Sequence, residues 1–176
     1  MDYLLTVSTG ILSGIAASAL FLWFSFSRFK PKIDISPNLA ISPEGAEEPY
    51  IEVKFINWTR RHLNDVRVEI LKSEVQNIHG GRTLTHTELT QRDIYFVSPF
   101  DRKDQHARYA FRVIEKLSVA EIWISDKTEF ITVMVHASDS LSEFSQSFRK
   151  EYTNKATCLK TGKHAFGQDF SVAPIS

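Results

Sequence analysis

The feature that most constrains this chain is an uncharged run of 25 residues, 3–27. About 20 apolar residues suffice to cross a hydrocarbon core roughly 30 Å thick. The run ends at Arg28, Lys30 and Lys32, and the remaining sequence is too polar to form another span. The sequence therefore predicts one transmembrane helix over residues 1–27, with these three basic side chains at the lipid headgroups.

A cleaved signal peptide is the alternative interpretation of this run. Ala17-Ser18-Ala19 resembles a cleavage site, but Asp2 precedes the run where a signal peptide has basic residues, and the strongly apolar residues 20–24 follow that site. We therefore expect a retained anchor. Because Lys and Arg stay on the cytoplasmic side and follow only the C-terminal end of the run, we expect a single-pass protein of the inner membrane with its C-terminal domain in the cytoplasm.

The charge balance of residues 28–176 restricts the partners of the protein. All 21 Lys and Arg residues and all but one of the 21 acidic residues lie there, which leaves a net charge of +1. Such a balance argues against a DNA-binding protein. Cys158 is the only cysteine, so no internal disulfide forms, as expected in a reducing compartment.

Residues 28–49 form a predicted juxtamembrane connector. Four of the six prolines lie in this region, and they keep a chain extended and prevent a continuous helix. Within it, residues 32–36 alternate between polar and apolar side chains, which predicts a first strand. We expect residues 50–176 to fold as one domain.

From Tyr50 onward apolar residues alternate with polar ones, as in half-buried strands. The alternating segments are 50–55, 66–70, 109–113, 131–137 and 144–152. Gly80-Gly81 predicts a hairpin, and the short apolar runs 93–97 and 120–124 predict two more strands. Many short strands indicate an all-β fold, either a β-sandwich or a small barrel, and the predicted loop over 57–65 favours the sandwich.

One part of the chain resembles a known group of proteins. The matching sequence is Ile131-Thr132-Val133-Met134-Val135-His136-Ala137-Ser138-Asp139-Ser140-Leu141-Ser142, followed by Phe144 and a run ending at Tyr152. It resembles small, mostly uncharacterised bacterial membrane proteins with one N-terminal helix, and residues 51–68 are similar to the same group. The family pattern has glycine after Ser142, where this chain has Glu143. The resemblance implies an immunoglobulin-like β domain in the cytoplasm and no catalytic residues.

Motifs that carry catalysis or bind metal are missing from the sequence. It has no H-E-x-x-H, C-x-x-C, G-x-x-x-x-G-K-[ST] or G-x-S-x-G motif. The six histidines are dispersed, and none pair at a helical zinc-binding spacing. His136 and Asp139-Ser140 lie close in sequence, but a nucleophile system is defined by geometry, so we interpret residues 139–140 as a solvated turn. We therefore expect no enzyme activity, no cofactor and no metal.

A short loop carries the candidate binding residues Trp58, Arg60, Arg61 and His62. Guanidinium groups bind phosphate or carboxylate, and loops on a rigid scaffold often carry binding residues. The sequence thus predicts a site for a small anionic ligand or a protein partner, with a solvated or membrane-facing surface as the alternative. We expect replacement of both arginines to leave stability nearly unchanged. Arg102, Lys103 and His106 are the next candidates.

The predicted helix carries small residues at Thr6, Gly10, Gly14 and Ser18. Residues four apart lie on one helix face, and small residues there let two helices approach closely. The pattern predicts homo-oligomerisation.

These features favour a membrane-anchored, non-enzymatic binding module that oligomerises. One form of this hypothesis is a membrane effector of a bacterial defence system that responds to a nucleotide or protein signal. The alternative is a structural or accessory subunit of a larger membrane complex.

Overall fold

The computed structural model describes residues 2–174, so Met1 and residues 175–176 of the predicted domains lie outside the described part. The chain forms two compact units, Met1–Lys30 and Pro31–Ser176. We call the second the β unit. The predicted division of the chain into a helix (1–27), a connector (28–49) and a β domain (50–176) stays a prediction.

The first unit is a single helix, α1 (Asp2–Phe29). Its segment Thr6–Phe26 is long and apolar enough to cross a membrane. The hydroxyl groups of Ser13 and Ser18 each donate a hydrogen bond to a carbonyl one turn earlier, at 2.9 and 2.8 Å. These polar groups are thereby satisfied within the helix, as a hydrocarbon environment requires.

The β unit consists of short and long strands with two one-turn helices. The strands are β1 (Ile33–Ile35), β2 (Leu39–Ile41), β3 (Ile51–Asn57), β4 (Leu63–Ile78), β5 (Gly81–Val97), β6 (Ala110–Glu115), β7 (Glu129–Asp139), β8 (Ser145–Tyr152), β9 (Leu159–Thr161), β10 (Lys163–His164) and β11 (Val172–Ala173). The helices are α2 (Val119–Ile122) and α3 (Lys155–Cys158).

The first sheet is organised around β3. This strand pairs antiparallel with β6 along one edge and with both β1 and β2 along the other. β9 lies outside β2 and runs parallel to it. A separate small ribbon pairs β10 with β11.

The second sheet has the order β5-β4-β7-β8, and all of its pairs are antiparallel. β4 and β5 form one long hairpin whose turn contains Gly80 at a φ of 92°. This confirms the hairpin predicted from the two glycines. The loop predicted over residues 57–65 is also present, since β3 ends at Asn57 and β4 begins at Leu63.

The two sheets share one hydrophobic core. Val53 and Phe55 of the first sheet and Val68 and Val133 of the second are fully buried in it, together with Trp123. Strands hold 46% of the residues and the sheets are not closed. The predicted all-β fold is therefore confirmed only in part: the chain is mostly β, but it also contains the long helix α1.

Two predictions about individual strands are wrong. Residues 120–124 do not form a strand, since Val119–Ile122 is helix α2; a short apolar run has no periodicity that separates the two structures. β3 was predicted to be half-buried, yet all seven of its residues are buried. The face of β3 that carries Glu52 and Lys54 is covered by residues 163–174, which we call the C-terminal segment.

Glu143 adopts a left-handed backbone conformation, with a φ of 59°. Glycine is the residue that adopts positive φ without steric cost. The turn between β7 and β8 is therefore formed by a residue that fits it less easily than glycine.

Candidate functional site

Three loops meet at one end of the β unit, which we call the loop end. They are 58–62, 98–109 and 140–144. The N–H of Phe100 donates to the carbonyl of Thr59 at 2.8 Å and joins the first two loops. The third loop is joined to the first by the N–H of Ser140, which donates to the carbonyl of His62 at 3.1 Å.

Asn57 fixes the conformation of the loop that follows it. Its buried side-chain amide donates to the carbonyls of Arg61 and Ser98, both at 2.9 Å. Its Oδ1 accepts hydrogen bonds from the backbone and the hydroxyl of Thr59, at 2.9 and 2.6 Å. Because these bonds are internal, the loop is held in one arrangement before any ligand arrives.

Arg61 is held by an ion pair within the protein. Its Nε donates to Oδ2 of Asp139 at 2.6 Å, and the carboxylate is fully buried. Burial alone would raise the pKa of Asp139, but hydrogen bonds from Arg61 and from the backbone of Ser142 and Leu141 outweigh burial and lower it. Asp139 is therefore not part of a solvated turn, and Arg61 connects loop 58–62 to the end of β7.

Trp58 belongs to a small aromatic cluster. Its ring lies 4.6 Å from that of Phe100, which in turn lies 4.9 Å from Tyr109, measured between centroids. The three rings pack beside the buried residues Ile56 and Ala107. The indole thus contributes to packing rather than standing open as a stacking surface.

The remaining charged residues of the loop end are exposed. Arg60, Arg102 and Lys103 project from loops 58–62 and 98–109. Among the described contacts of residues 31–174, no hydrogen bond or ion pair involves the charged groups of these three side chains. His62 is also exposed, and its ring faces the edge of the Phe96 ring at 6.2 Å between centroids. Of the four predicted binding residues, Arg60 and His62 are therefore the ones that a ligand can reach freely.

A groove of about 470 Å³ lies between the edges of the two sheets and was not expected from the sequence. We call it the edge groove. Residues 92–96 of β5 and residues 111–114 of β6 line it. Its apolar side chains include Ile94 and Phe111, and Tyr95 at its rim exposes 92% of its surface. An ion pair of 2.7 Å between Arg92 and Glu115 joins the two strands.

A second unexpected feature is a buried polar network. Nδ1 of His164 lies 3.1 Å from Oε1 of Glu52, and its Nε2 lies 2.8 Å from Oγ of Ser36. Burial would raise the pKa of Glu52, but hydrogen bonds from the side chain and backbone of His164 outweigh it and lower the pKa. This order of groups is that of a Ser-His-acid triad. Ser36 and Glu52, however, expose none of their surface. We therefore interpret the network as a structural link between the residue that follows β1, strand β3 and the C-terminal segment.

Lys54 supports the same region. Its Nζ donates to the carbonyls of Ala165 and Asp169, both at 2.6 Å, and lies 5.9 Å from the centre of the Phe170 ring. Burial, followed by repulsion from Arg112, lowers the pKa of Lys54 to about 8. No local pattern indicates this role of Lys54, because the acceptors are backbone carbonyls more than 100 residues away in sequence.

Within residues 2–174, no group of three or more His, Cys, Asp or Glu side chains is arranged to hold a metal ion. His136, His62 and His164 lie in different parts of the β unit, and the partners described for them are protein groups.

No family model matches the chain, and no curated protein matches it. Among solved structures, the chain is similar to Spo0M, the sporulation control protein of Bacillus subtilis, with 11% identity and a TM-score of 0.41 over 70% of this chain. The match covers 48% of Spo0M, so this chain spans about half of its length. The ApaA protein of Bordetella pertussis matches with 7% identity and a TM-score of 0.33, over 70% of this chain and 92% of that one. Scores this low assign neither a fold nor a function.

Proposed function

We propose that this chain is a membrane-anchored, non-enzymatic binding module. In this proposal α1 crosses the membrane, and an immunoglobulin-like β-sandwich in the cytoplasm binds a protein partner in the edge groove. The observation that carries the proposal is the uncharged end of β5, residues 94–97, which lies beside the groove with Tyr95 exposed. Exposed apolar surface next to a concave site is typical of interaction sites.

The two outer strands of the second sheet differ in their protection. β8 carries Arg149, Lys150 and Glu151 in sequence, and charged residues prevent unwanted pairing at a sheet edge. The end of β5 carries Ile-Tyr-Phe-Val and has no such protection. An edge left open in this way is suited to pairing with another chain.

An extended segment of a partner protein fits the chemistry of this edge. Among the strands described in residues 31–174, β5 pairs with β4 alone. Its other edge therefore presents backbone N–H and C=O groups that an added strand would satisfy. Alternate side chains of such a strand would point into the groove and contact Ile94 and Phe111. Backbone bonds would supply affinity, and these apolar contacts would supply specificity.

Photo-crosslinking in cells tests the proposal. A benzophenone amino acid at Tyr95 preserves an aromatic ring at the rim of the groove, and the same residue at Ser147, exposed on β8, is the matched control. We expect discrete crosslinked products from position 95 and none from position 147. Adding Ile94→Lys, which places a charge in the groove, should abolish them.

Equal crosslinking from both positions, or none from position 95, would contradict the proposed site. A product with twice the mass of the chain would contradict a protein partner and identify a second copy at this edge. Crosslinks to a subunit that also co-purifies constitutively with the full-length chain would favour the second candidate function, an accessory subunit of a membrane complex.

Oligomerisation through α1 is a separate part of the proposal. Replacing both Gly10 and Gly14 with Ile should keep the helix apolar while holding two helices apart, so membrane insertion persists and self-association falls. Crosslinking in membranes measures this, with Leu12→Ile as the control outside the predicted stripe. Unchanged crosslinking would exclude this helix face. The defence-effector form of the hypothesis stays a prediction.

A further inference from the structure

The chain enters the β unit at the loop end. The carbonyl of Lys32 accepts a hydrogen bond from the N–H of Trp58 at 2.8 Å. The next residue, Ile33, begins β1 and pairs with Asn57 at the end of β3. Three residues of chain separate Phe29, the last residue of α1, from β1. A membrane that holds α1 is therefore only three residues of chain away from the loop end.

The loop end carries exposed cations whose charged groups have no described partner in the β unit. These are Arg60, Arg102 and Lys103, and Lys32 is exposed beside them. Two acidic groups of the same end are already engaged, Asp139 by Arg61 and Asp104 by Arg108. Asp101 and Glu143 are exposed in the same loops. The four exposed cations outnumber these two acidic side chains, so the loop end presents a positive balance to an outside partner.

The other end of the β unit, which we call the far end, has the opposite balance. It consists of the connecting segments 42–50, 116–128 and 153–158, which include α2 and α3. Lys116 and Glu48 form an ion pair there and balance each other. The other charged side chains of the far end are four exposed acids, Glu44, Glu47, Glu121 and Asp126, and two cations, Lys127 and Lys155. The near-neutral net charge of the unit therefore conceals a separation of charge between its two ends.

The loop end also exposes apolar side chains beside its cations. Leu141 exposes 70% of its surface and Phe96 exposes 62%. Leu141 lies in the turn between β7 and β8, and Phe96 lies at the end of β5. Basic residues with nearby apolar side chains are the combination that binds an interface of anionic lipid, because headgroup phosphates attract the cations and the interfacial layer accepts the apolar groups.

We infer that the loop end binds the surface of an anionic phospholipid membrane, with Arg60, Arg102 and Lys103 at the headgroup phosphates and Phe96 and Leu141 in the interfacial layer. This inference rests on the membrane anchoring in the proposed function. It assigns Arg60 to lipid phosphate rather than to a soluble anionic ligand. Phe96 also lines one end of the edge groove, whose other lining residues are not part of this membrane-binding surface.

Full-length protein in nanodiscs tests the inference, because both faces of a nanodisc are accessible. A fluorophore on Leu141→Cys, in a Cys158→Ser background, reports contact with lipid through quenching by brominated chains. We expect strong quenching in discs with about a third phosphatidylglycerol and weak quenching in phosphatidylcholine alone. Salt at about 1 M shortens the Debye length to about 3 Å and should remove the difference.

The charge variant Arg60→Gln, Arg102→Gln, Lys103→Gln should release the loop end from phosphatidylglycerol. Each removed cation should weaken the attachment roughly fivefold. Lys127→Gln, which removes a cation at the far end, is the matched control. Its label at position 141 should be quenched as strongly as that of the parent. A fluorophore on Glu47→Cys, also at the far end, should not be quenched in either lipid.

Failure of the anchor and failure of this inference give different results. Protein that does not co-elute with nanodiscs would overturn the anchor and the inference together. Protein that co-elutes, but whose label at position 141 is quenched equally in the two lipids or in neither, would overturn the inference alone. The inference would also fail if the triple variant were quenched as strongly as the parent.

Discussion

Where the C-terminal segment covers β3, three buried ionisable side chains have partners within the β unit, whereas at the loop end three exposed cations have none among the described contacts. Glu52 and His164 bind each other, and Lys54 binds two carbonyls. Arg60, Arg102 and Lys103 face solvent. Charge with internal partners holds distant parts of the chain together, and charge without them is available for binding.

The largest expected effect comes from breaking the buried pair. Glu52→Leu leaves His164 without its carboxylate and should lower the free energy of unfolding by about 3 kcal/mol or more, because removal of one buried partner isolates the other. Glu52→Gln keeps an oxygen that can accept a hydrogen bond and should cost clearly less. Denaturant unfolding of full-length protein in neutral detergent measures both. A loss below about 1 kcal/mol for Glu52→Leu would show that the network contributes little.

Arg61 is expected to show the next largest effect. Arg61→Ala leaves the buried carboxylate of Asp139 without its cation, although hydrogen bonds from Leu141 and Ser142 remain. We expect a loss of about 2 kcal/mol, below that of an isolated buried charge. This replaces the expectation from sequence that both arginines can be removed without cost. Equal stability of Arg61→Ala and Arg60→Ala would contradict the conclusion that Arg61 stabilises the fold and Arg60 does not.

Lys54 adds a dependence on pH. Its pKa of about 8 lies below the ordinary 10.5, so between these values the unfolded chain binds more protons than the folded one. Stability should therefore rise with pH in this interval, by at most about 1.4 kcal/mol per pH unit. Lys54→Met lacks the titrating group, so the difference between wild type and variant isolates it. A difference that is flat or falls from pH 8 to 10.5 would rule out the lowered pKa.

The elements that the sequence predicted correctly depend on local patterns. The uncharged run predicted a helix, and two glycines predicted the β4–β5 hairpin. The features it missed depend on contacts between distant segments. Glu52 and Lys54 alternate with apolar residues as in a solvated strand face, and only the covering C-terminal segment buries them. Ser36 and His164 meet across more than 120 residues of sequence, so no local spacing could indicate their contact.

The candidate site was predicted in part for the same reason. Local sequence located the loop that carries Arg60 and Arg61, since it lies between two alternating segments. It could not show that Asp139, 78 residues later, would pair with one arginine and leave the other exposed. The edge groove was missed because β5 and β6 belong to different sheets, and the spacing of sheets is not encoded in the periodicity of either strand.

The smallest effect on stability should come from the exposed cations. The triple variant Arg60→Gln, Arg102→Gln, Lys103→Gln removes no described internal hydrogen bond or ion pair, so its free energy of unfolding in neutral detergent should stay within about 0.5 kcal/mol of wild type. Neutral detergent offers no anionic headgroups, and the measurement therefore reports the fold alone. Arg61→Gln, measured in parallel, should lose clearly more because it removes the partner of buried Asp139. A loss above about 1 kcal/mol in the triple variant would mean that these side chains also hold the fold, and the contrast between the two groups of charges would no longer stand.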